Sequence, residues 1–360
     1  DWVANPERLP NGIKGLSERI EAMGIKFGLW FEPEMTNKDS DLYRAHPDWI
    51  LHTPGRNASH GRYQYVLDFS RKEVVEYIYE MMAKILSEAK VSYIKWDMNR
   101  SITECYSVAL PADRQGEVFH RYILGVYDLY ERLTSEFPEV LFESCSSGGG
   151  RFDPGMLYYA PQGWTSDDSD AIERLKIQYG TSLCYPISSM GSHVSVIPNH
   201  QVFRKTPLHT RANVAYFGTF GYELDLNSLK EEEIAEVKEQ IIFMKKYRKL
   251  FQFGDFYRLK SPFEGNETIW MVVSEDKKTA IVGYYRTLNG VNQAYSRIKL
   301  QGLDPDMLYE NILNKTENYG DELMNFGLIT TDVTAGEVPG DATPCTDFES
   351  RIYILKAKEK

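Results

Sequence analysis

The chain holds 360 residues, with 52 acidic against 41 basic side chains and a formal net charge of -11. At roughly 150 residues per domain about two domains are expected, and 42% hydrophobic with 26% charged residues provides a sizeable core and excludes a disordered chain. The acidic balance argues against a nucleic-acid binder and against anchoring on anionic lipid, and no apolar run approaches the roughly 18 residues of a membrane span.

The start, Asp1-Trp2-Val3, has neither an initiator Met nor a basic-then-apolar leader, so a processed chain or a piece of a longer one is expected. A helix over 11–24 follows Pro10 and stops at Gly24, and a strand follows over 25–31. Helix 71–88 carries a stripe of Val74, Val75, Ile78, Met81, Met82, Ile85 and Leu86, the spacing of one helical face. Strand 92–97, helix 114–136, strand 139–144 and helices 170–179 and 206–216 come next. Ser228 with Glu231 reads as a capping box opening a helix to about Arg248. Beyond Phe251 the helical patterns fade. Short β-rich runs at 268–274, 278–286, 296–300 and 350–356 predict antiparallel strands.

Alternating strands and helices predict a parallel sheet. No G-x-G-x-x-G or Walker pattern follows a strand, so nucleotide binding loses its usual support. Polar, aromatic and acidic residues instead crowd the C-terminal strand ends, as at the catalytic face of a barrel. Six strand candidates fall before residue 250, near 25–32, 92–97, 139–145, 162–166, 187–192 and 217–222. A full barrel has eight strands in about 250 residues. The expected fold is therefore α/β: a (β/α)8 TIM barrel over 1–250 that lacks its first two strands, then a small antiparallel β-sandwich domain over 251–360.

Asp97 ends the strand Tyr93-Ile94-Lys95-Trp96-Asp97. Lys95 shares its side of the strand, and a neighbouring cation favours an ionised carboxylate, which suits a nucleophile; a structural salt bridge is the plainer reading. Asp167, Asp168 and Asp170 follow Trp164-Thr165-Ser166. Crowded carboxylates raise at least one pKa, as a general acid needs, while Ser169 or Asp168 would equally cap the next helix. Two carboxylates on different barrel strands suit glycoside hydrolysis, and a retaining enzyme holds them about 5–5.5 Å apart. Trp30 is read as a sugar platform or as core, Arg62 as a surface arginine by default, and Cys145-Ser146-Ser147-Gly148-Gly149-Gly150 as a tight loop that lets a ligand reach backbone amides. His193 and His200 lack a third partner for a metal site. Four scattered cysteines, Cys105, Cys145, Cys184 and Cys345, suggest neither a disulfide scaffold nor a zinc site and fit a reducing compartment, the cytoplasm.

The runs GLWFEPEM (28–35), YIKWDMNR (93–100), ESCSSGGGRFD (143–153), WTSDDSDAIERLKIQYG (164–180), PNHQ (198–201) and GYELDL (221–226), with GDELMNFGL (320–328) looser, resemble the α-galactosidases of glycoside hydrolase family 36. The resemblance implies Asp97 as nucleophile, Asp167 as acid/base, and galactose contacts at Trp30, Arg62, Lys95, Cys145 and Gly148. The Cys-x-x-Gly pair accompanies a free 2-hydroxyl, so α-galactosides of the melibiose and raffinose type are favoured. No metal or organic cofactor is expected. The family carries a β-sandwich, two barrel strands and an Asp-Asp-Gly-Trp-Phe-Gly motif upstream of the position of Asp1, and is often tetrameric. This chain is therefore expected to be a fragment of a longer enzyme. The alternatives are an α-galactosyl transferase of the same family and an inactive carbohydrate-binding fragment.

Overall fold

The computed structural model describes residues 1–291, 296–330 and 347–358; Cys345 lies outside them. Contacts divide the chain into two compact units, Asp1–Trp164 and Thr165–Lys360.

The first unit runs α1 (Gly12–Ala22), β1 (Phe27–Phe31), β2 (Met35–Asn37), α2 (Asp41–Ala45), β3 (Gln64–Val66), α3 (Lys72–Glu88), β4 (Val91–Trp96), α4 (Val118–Glu136), β5 (Leu141–Ser144), α5 (Pro154–Tyr159) and β6 (Gln162–Gly163). Its main sheet is parallel, in the order β1-β4-β5-β6. Neighbouring strands are thus successive ones, each reached through a helical crossover. The stripe expected on α3 is buried at Val74, Val75, Ile78, Met82 and Leu86. Helix α4 buries Val118, Tyr122, Val126, Leu129 and Leu133, the i, i+4, i+8 face of a helix against a core. Both meet Phe31, Ile94, Trp96 and Phe142 from the sheet. Where α4 passes the chain before α3, a Cβ at Gly125 would fall 2.0 Å from the Phe69 carbonyl oxygen. Only glycine fits, despite costing a helix about 1 kcal/mol.

The second unit opens with α6 (Ala171–Ser182), β7 (Gly191–Ser195), α7 (Leu208–Ala215), β8 (Thr219–Glu223) and α8 (Glu231–Phe253). Strands β7 and β8 are parallel, so a parallel strand falls at or overlaps each of the six expected positions; the one expected near 187–192 begins only at Gly191, after a 3-10 turn over Ile187–Ser189. Two helix starts differ from the sequence reading. Asp170, not Ser169 or Asp168, caps α6, its carboxylate accepting the Ile172 and Glu173 amides at 3.1 Å. Before α8, Glu233 reaches back to the Lys230 amide at 3.0 Å, while the Ser228 hydroxyl is spent on the Asp225 carbonyl. In each case the residue in helical register with the last free amides does the capping.

The rest of this unit is β9 (Asp255–Lys260), β10 (Glu267–Val273), β11 (Thr279–Arg286), β12 (Arg297–Ile298), β13 (Leu308–Asn311), β14 (Glu317–Tyr319), α9 (Gly320–Asn325), β15 (Leu328–Ile329) and β16 (Glu349–Ala357). A six-stranded antiparallel sheet, β14-β13-β16-β11-β10-β9, is accompanied by the pair β12-β15. Ile269, Met271 and Val273 on β10 pack with Ile298, Leu300 and Leu328 in one core. Trp270, on the opposite face of β10, meets Phe217, Phe256 and Tyr285. A strand covered on both faces reads as a continuous apolar run. Among the described residues no helix is long and apolar enough to cross a membrane.

Candidate active site

The parallel sheet of the first unit organises its polar side chains in two rows. Side chains two apart on a strand share a face. The register pairs Trp30 with Lys95, Lys95 with Glu143 and Glu143 with Gln162, giving a lower row of four residues on four strands. The ladder continues past the strand ends: the Asp97 amide donates to the Phe31 carbonyl at 2.8 Å, Cys145 to Trp96 at 2.7 Å and Trp164 to Ser144 at 2.9 Å. Two residues on from the lower row come Glu32, Asp97, Cys145 and Trp164, the upper row at the C-terminal ends.

Asp97 is 7% exposed, and both its oxygens are engaged. Oδ2 accepts from the Trp30 indole at 3.2 Å and from the Asn99 amide at 2.6 Å, and Oδ1 from the Met98 backbone at 2.9 Å. Trp30 itself is 51% exposed, so it is not core packing: its edge holds the carboxylate and much of its ring is open. Asn99 is oriented in turn, accepting from the Ser147 hydroxyl at 3.3 Å and donating its backbone amide to Glu32 at 3.0 Å. The other Glu32 oxygen accepts from Gln64 at 2.6 Å. Gln64 closes a turn with Gly61 that carries Arg62 and Tyr63 at φ 52 and 61. Two successive non-glycine residues in that region store about 1–3 kcal/mol each. Arg62 is exposed on this turn, tied to Asp97 through Gln64, Glu32 and Asn99.

Cys145 is buried next to Asp97. Burial first, and the Asp97 charge second, push its thiol up to about 12, against the pull of Lys95 and of the Gly148 amide on the sulfur. Gly148 sits at φ 83, a conformation glycine enters without penalty, and its carbonyl accepts from the Ser146 amide at 2.9 Å. Lys95 forms an ion pair with Glu143 at 2.9 Å, and its ammonium lies 4.9 Å from the Trp164 ring centre. Glu143 is 1% exposed and also accepts from Tyr93 Oη and Gln162 Nε2. Burial, then Glu143, hold the Tyr93 phenol protonated, so it is a donor here. Two residues past Glu32 in the chain, Glu34 is fully buried and accepts from both Arg151 guanidinium nitrogens at 2.8 and 2.9 Å and from the Trp96 indole at 2.8 Å. A 230 Å³ cavity is lined in part by Trp30, Glu32 and Gln64, and a 340 Å³ cavity in part by Met98, Ser146 and Ser147.

In the second unit, Asp167 is the exposed member of the acidic run. Its neighbours are committed to local structure: Asp168 accepts the Asp170 amide at 3.1 Å, and Asp170 caps α6 and pairs with Arg204. Buried Arg174 donates to the Ser166 carbonyl at 3.4 Å and to the Gly191 carbonyl at 2.6 Å. Burial lowers its guanidinium to about 10, with Asp168 and Glu223 opposing. The Ser166 carbonyl just before Asp167 is thereby fixed to β7. His193 pairs with Glu223 at 3.2 Å, and His200 is exposed. Among the described residues no group of three or more His, Cys, Asp or Glu is arranged for a metal ion.

The sequence reading missed Asn99, Gln64 and Glu143. Glu143 was findable: it precedes Cys145 by two residues, as Lys95 precedes Asp97, so all four fall on one face of adjacent strands.

A family model described as melibiase matches residues 1–254, and one described as the glycosyl hydrolase family 36 C-terminal domain matches residues 267–355. Alpha-galactosidase AgaA of Geobacillus stearothermophilus is 56% identical over 362 aligned positions, covering 100% of this chain and 48% of that protein. Alpha-galactosidase Mel36A of Lactobacillus acidophilus is 48% identical, covering 99% of this chain and 47% of that protein. The chain spans about half the length of the curated relatives it matches. A crystal structure of an AgaA variant in complex with raffinose superposes at a TM-score of 0.94 with 52% identity, over 99% of this chain and 48% of that one. The α-galactosidase of Lactobacillus brevis gives 0.96 with 50% identity, over 100% and 48%. The fold class expected from the sequence, an α/β barrel followed by an antiparallel β domain, is the fold of these neighbours. The chain belongs to the melibiase family, the α-galactosidases of glycoside hydrolase family 36.

Proposed function

We propose that this chain carries the catalytic machinery of a retaining α-galactosidase acting on raffinose- and melibiose-type oligosaccharides. The observation that carries this reading is Asp97: a buried carboxylate at the C-terminal end of a parallel strand, held on both oxygens by three donors, with an open tryptophan ring beside it. Asp97 attacks the anomeric carbon and the glycosidic C–O bond breaks, while Asp167 delivers a proton to the leaving oxygen. Asp167 then takes a proton from water, the water oxygen attacks the same carbon, and galactose leaves with Asp97 regenerated. Trp30, Arg62, Lys95, Cys145 and Gly148 hold the sugar.

The neighbours support the pairing of roles. AgaA variants crystallised with raffinose and with stachyose each replace an aspartate, and those two aspartates stand as far apart in sequence as Asp97 and Asp167. The division into a catalytic part over 1–250 and a β domain over 251–360 is supported by the two family-model matches and by the last parallel strand ending at Glu223. Cytoplasmic residence is supported by free cysteines at positions 105, 145 and 184.

The test is release of nitrophenol from an aryl α-galactoside. Turnover by the chain and none by Asp97→Asn is expected. Galactose binding without turnover would instead make this chain a carbohydrate-binding piece of a longer enzyme. Turnover that survives Asp97→Asn contradicts the assignment.

A further inference from the structure

We infer that Glu143, with Tyr93 and Gln162, is the positioning site for Lys95, so that the grip of the lysine on the sugar is set from the neighbouring strand. The inference rests on the reading of Lys95 as a galactose contact.

Lys95 and Glu143 are direct register partners on adjacent parallel strands, and the ion pair across that step is 2.9 Å. A lysine side chain has four rotatable bonds and gains little from a single exposed partner. This partner is not exposed. Glu143 is 1% exposed, and its second oxygen is occupied by Tyr93 Oη and Gln162 Nε2, which are themselves 3.1 Å apart. Tyr93 lies two residues before Lys95 on β4, and Gln162 is the register partner of Glu143 on β6. The carboxylate is thus fixed by three strands before the lysine meets it. On the other side the Trp164 ring, 4.9 Å away, supplies a cation–π face. The ammonium is held between a fixed anion and a fixed ring, directly below Asp97. Among the described ion pairs the buried Glu143 carboxylate faces one cation, Lys95, which balances its charge. An isosteric amide at position 143 keeps the shape and the room for hydrogen bonds, and removes the charge that sets the lysine.

The test is a double-mutant cycle on the full chain with Glu143→Gln, Lys95→Met and the pair, read as galactose affinity by calorimetry and as kcat and KM on an aryl α-galactoside. Misplacing a substrate-holding group by about 1 Å costs on the order of 100-fold, so each single variant is expected to lose up to about 100-fold. KM should carry more of the loss than kcat. The decisive result is non-additivity: in the Lys95→Met background, Glu143→Gln should change affinity less than about threefold. A readout without sugar accompanies it. The Lys95 amine, mapped by mass spectrometry after brief acylation, should be modified several-fold faster in Glu143→Gln, because losing the anion frees the side chain and favours its uncharged form. Strong but additive single effects, or unchanged acylation of Lys95, overturn the inference alone. A silent Lys95→Met overturns the reading of Lys95 as a sugar contact, and the inference with it.

Discussion

The antiparallel sheet of the C-terminal domain buries its central strands almost throughout, the parallel sheet of the first unit only in part, and the two fill their buried positions differently. On β10 and β11 the buried run is Ile269, Trp270, Met271, Val272, Val273 and then Ala280 to Tyr285, apolar almost throughout. On the strands of the first unit, and just past their ends, Glu32, Glu34, Asp97 and Glu143 are as deeply buried, each with two or more donors. Burying a carboxylate is costly unless it is paired and hydrogen-bonded. The difference teaches where the chain bears that cost: on the parallel strands and just past their C-terminal ends.

The contrast predicts opposite answers to shape-conserving substitutions. Glu34→Gln keeps the outline of the side chain but strands the half-buried Arg151, whose only carboxylate partner among the described ion pairs is Glu34. Breaking a buried pair this way costs about 3–5 kcal/mol, to be read from denaturant unfolding. A loss under about 1 kcal/mol would show that the buried carboxylates of the first unit are no more demanding than the β domain.

The next effect separates the capping role within the acidic run from the catalytic role proposed for Asp167. Asp170→Ala removes the cap of α6 and the partner of Arg204, and should lower stability by about 1–2 kcal/mol. Asp167→Ala should abolish turnover and leave stability within about 0.5 kcal/mol. If both variants lose stability equally, the division of labour within the run is wrong.

In the β domain, Ile281→Val removes one methylene from a fully buried, apolar site. It should cost about 0.5–1.5 kcal/mol and leave KM unchanged, the small answer against which Glu34→Gln is measured.

The smallest effect is chemical. Because burial and Asp97 push the Cys145 thiol up to about 12, iodoacetamide at pH 8 should label the exposed Cys184 and spare Cys145, as peptide mapping would report. The folded state holds that proton more tightly than the unfolded chain does. Its contribution to stability is therefore complete below the unfolded thiol pKa of about 8.5 and is lost as pH climbs toward 12. Labelling of both cysteines at pH 8 would mean an open site.

The sequence carried much of this arrangement, and its silences have physical reasons. Periodicity located each of the six parallel strands, because a buried strand and an amphipathic helix write different spacings into the chain. It placed Asp97 at a strand end, and the residue directly follows β4. It did not find Gln64 or Asn99, whose work depends on both reaching Glu32, which stands 32 and 67 residues earlier in the chain. It did not find the Glu143 partner of Lys95, because period-two reasoning sees along a strand and not across to the next. The helix caps at Asp170 and Lys230 were off by one or two residues for a similar reason: several polar residues stood in a row, and only the backbone turn selects among them.

The most direct test of the central claim is to trap the covalent intermediate. In an Asp167→Asn variant, a dinitrophenyl α-galactoside needs no acid to leave, while release of the sugar lacks its base, so a galactosyl-enzyme should accumulate. Digestion and mass spectrometry should find one hexose increment, on the peptide that contains Asp97. An increment on any other residue, or steady turnover with none, would contradict the account.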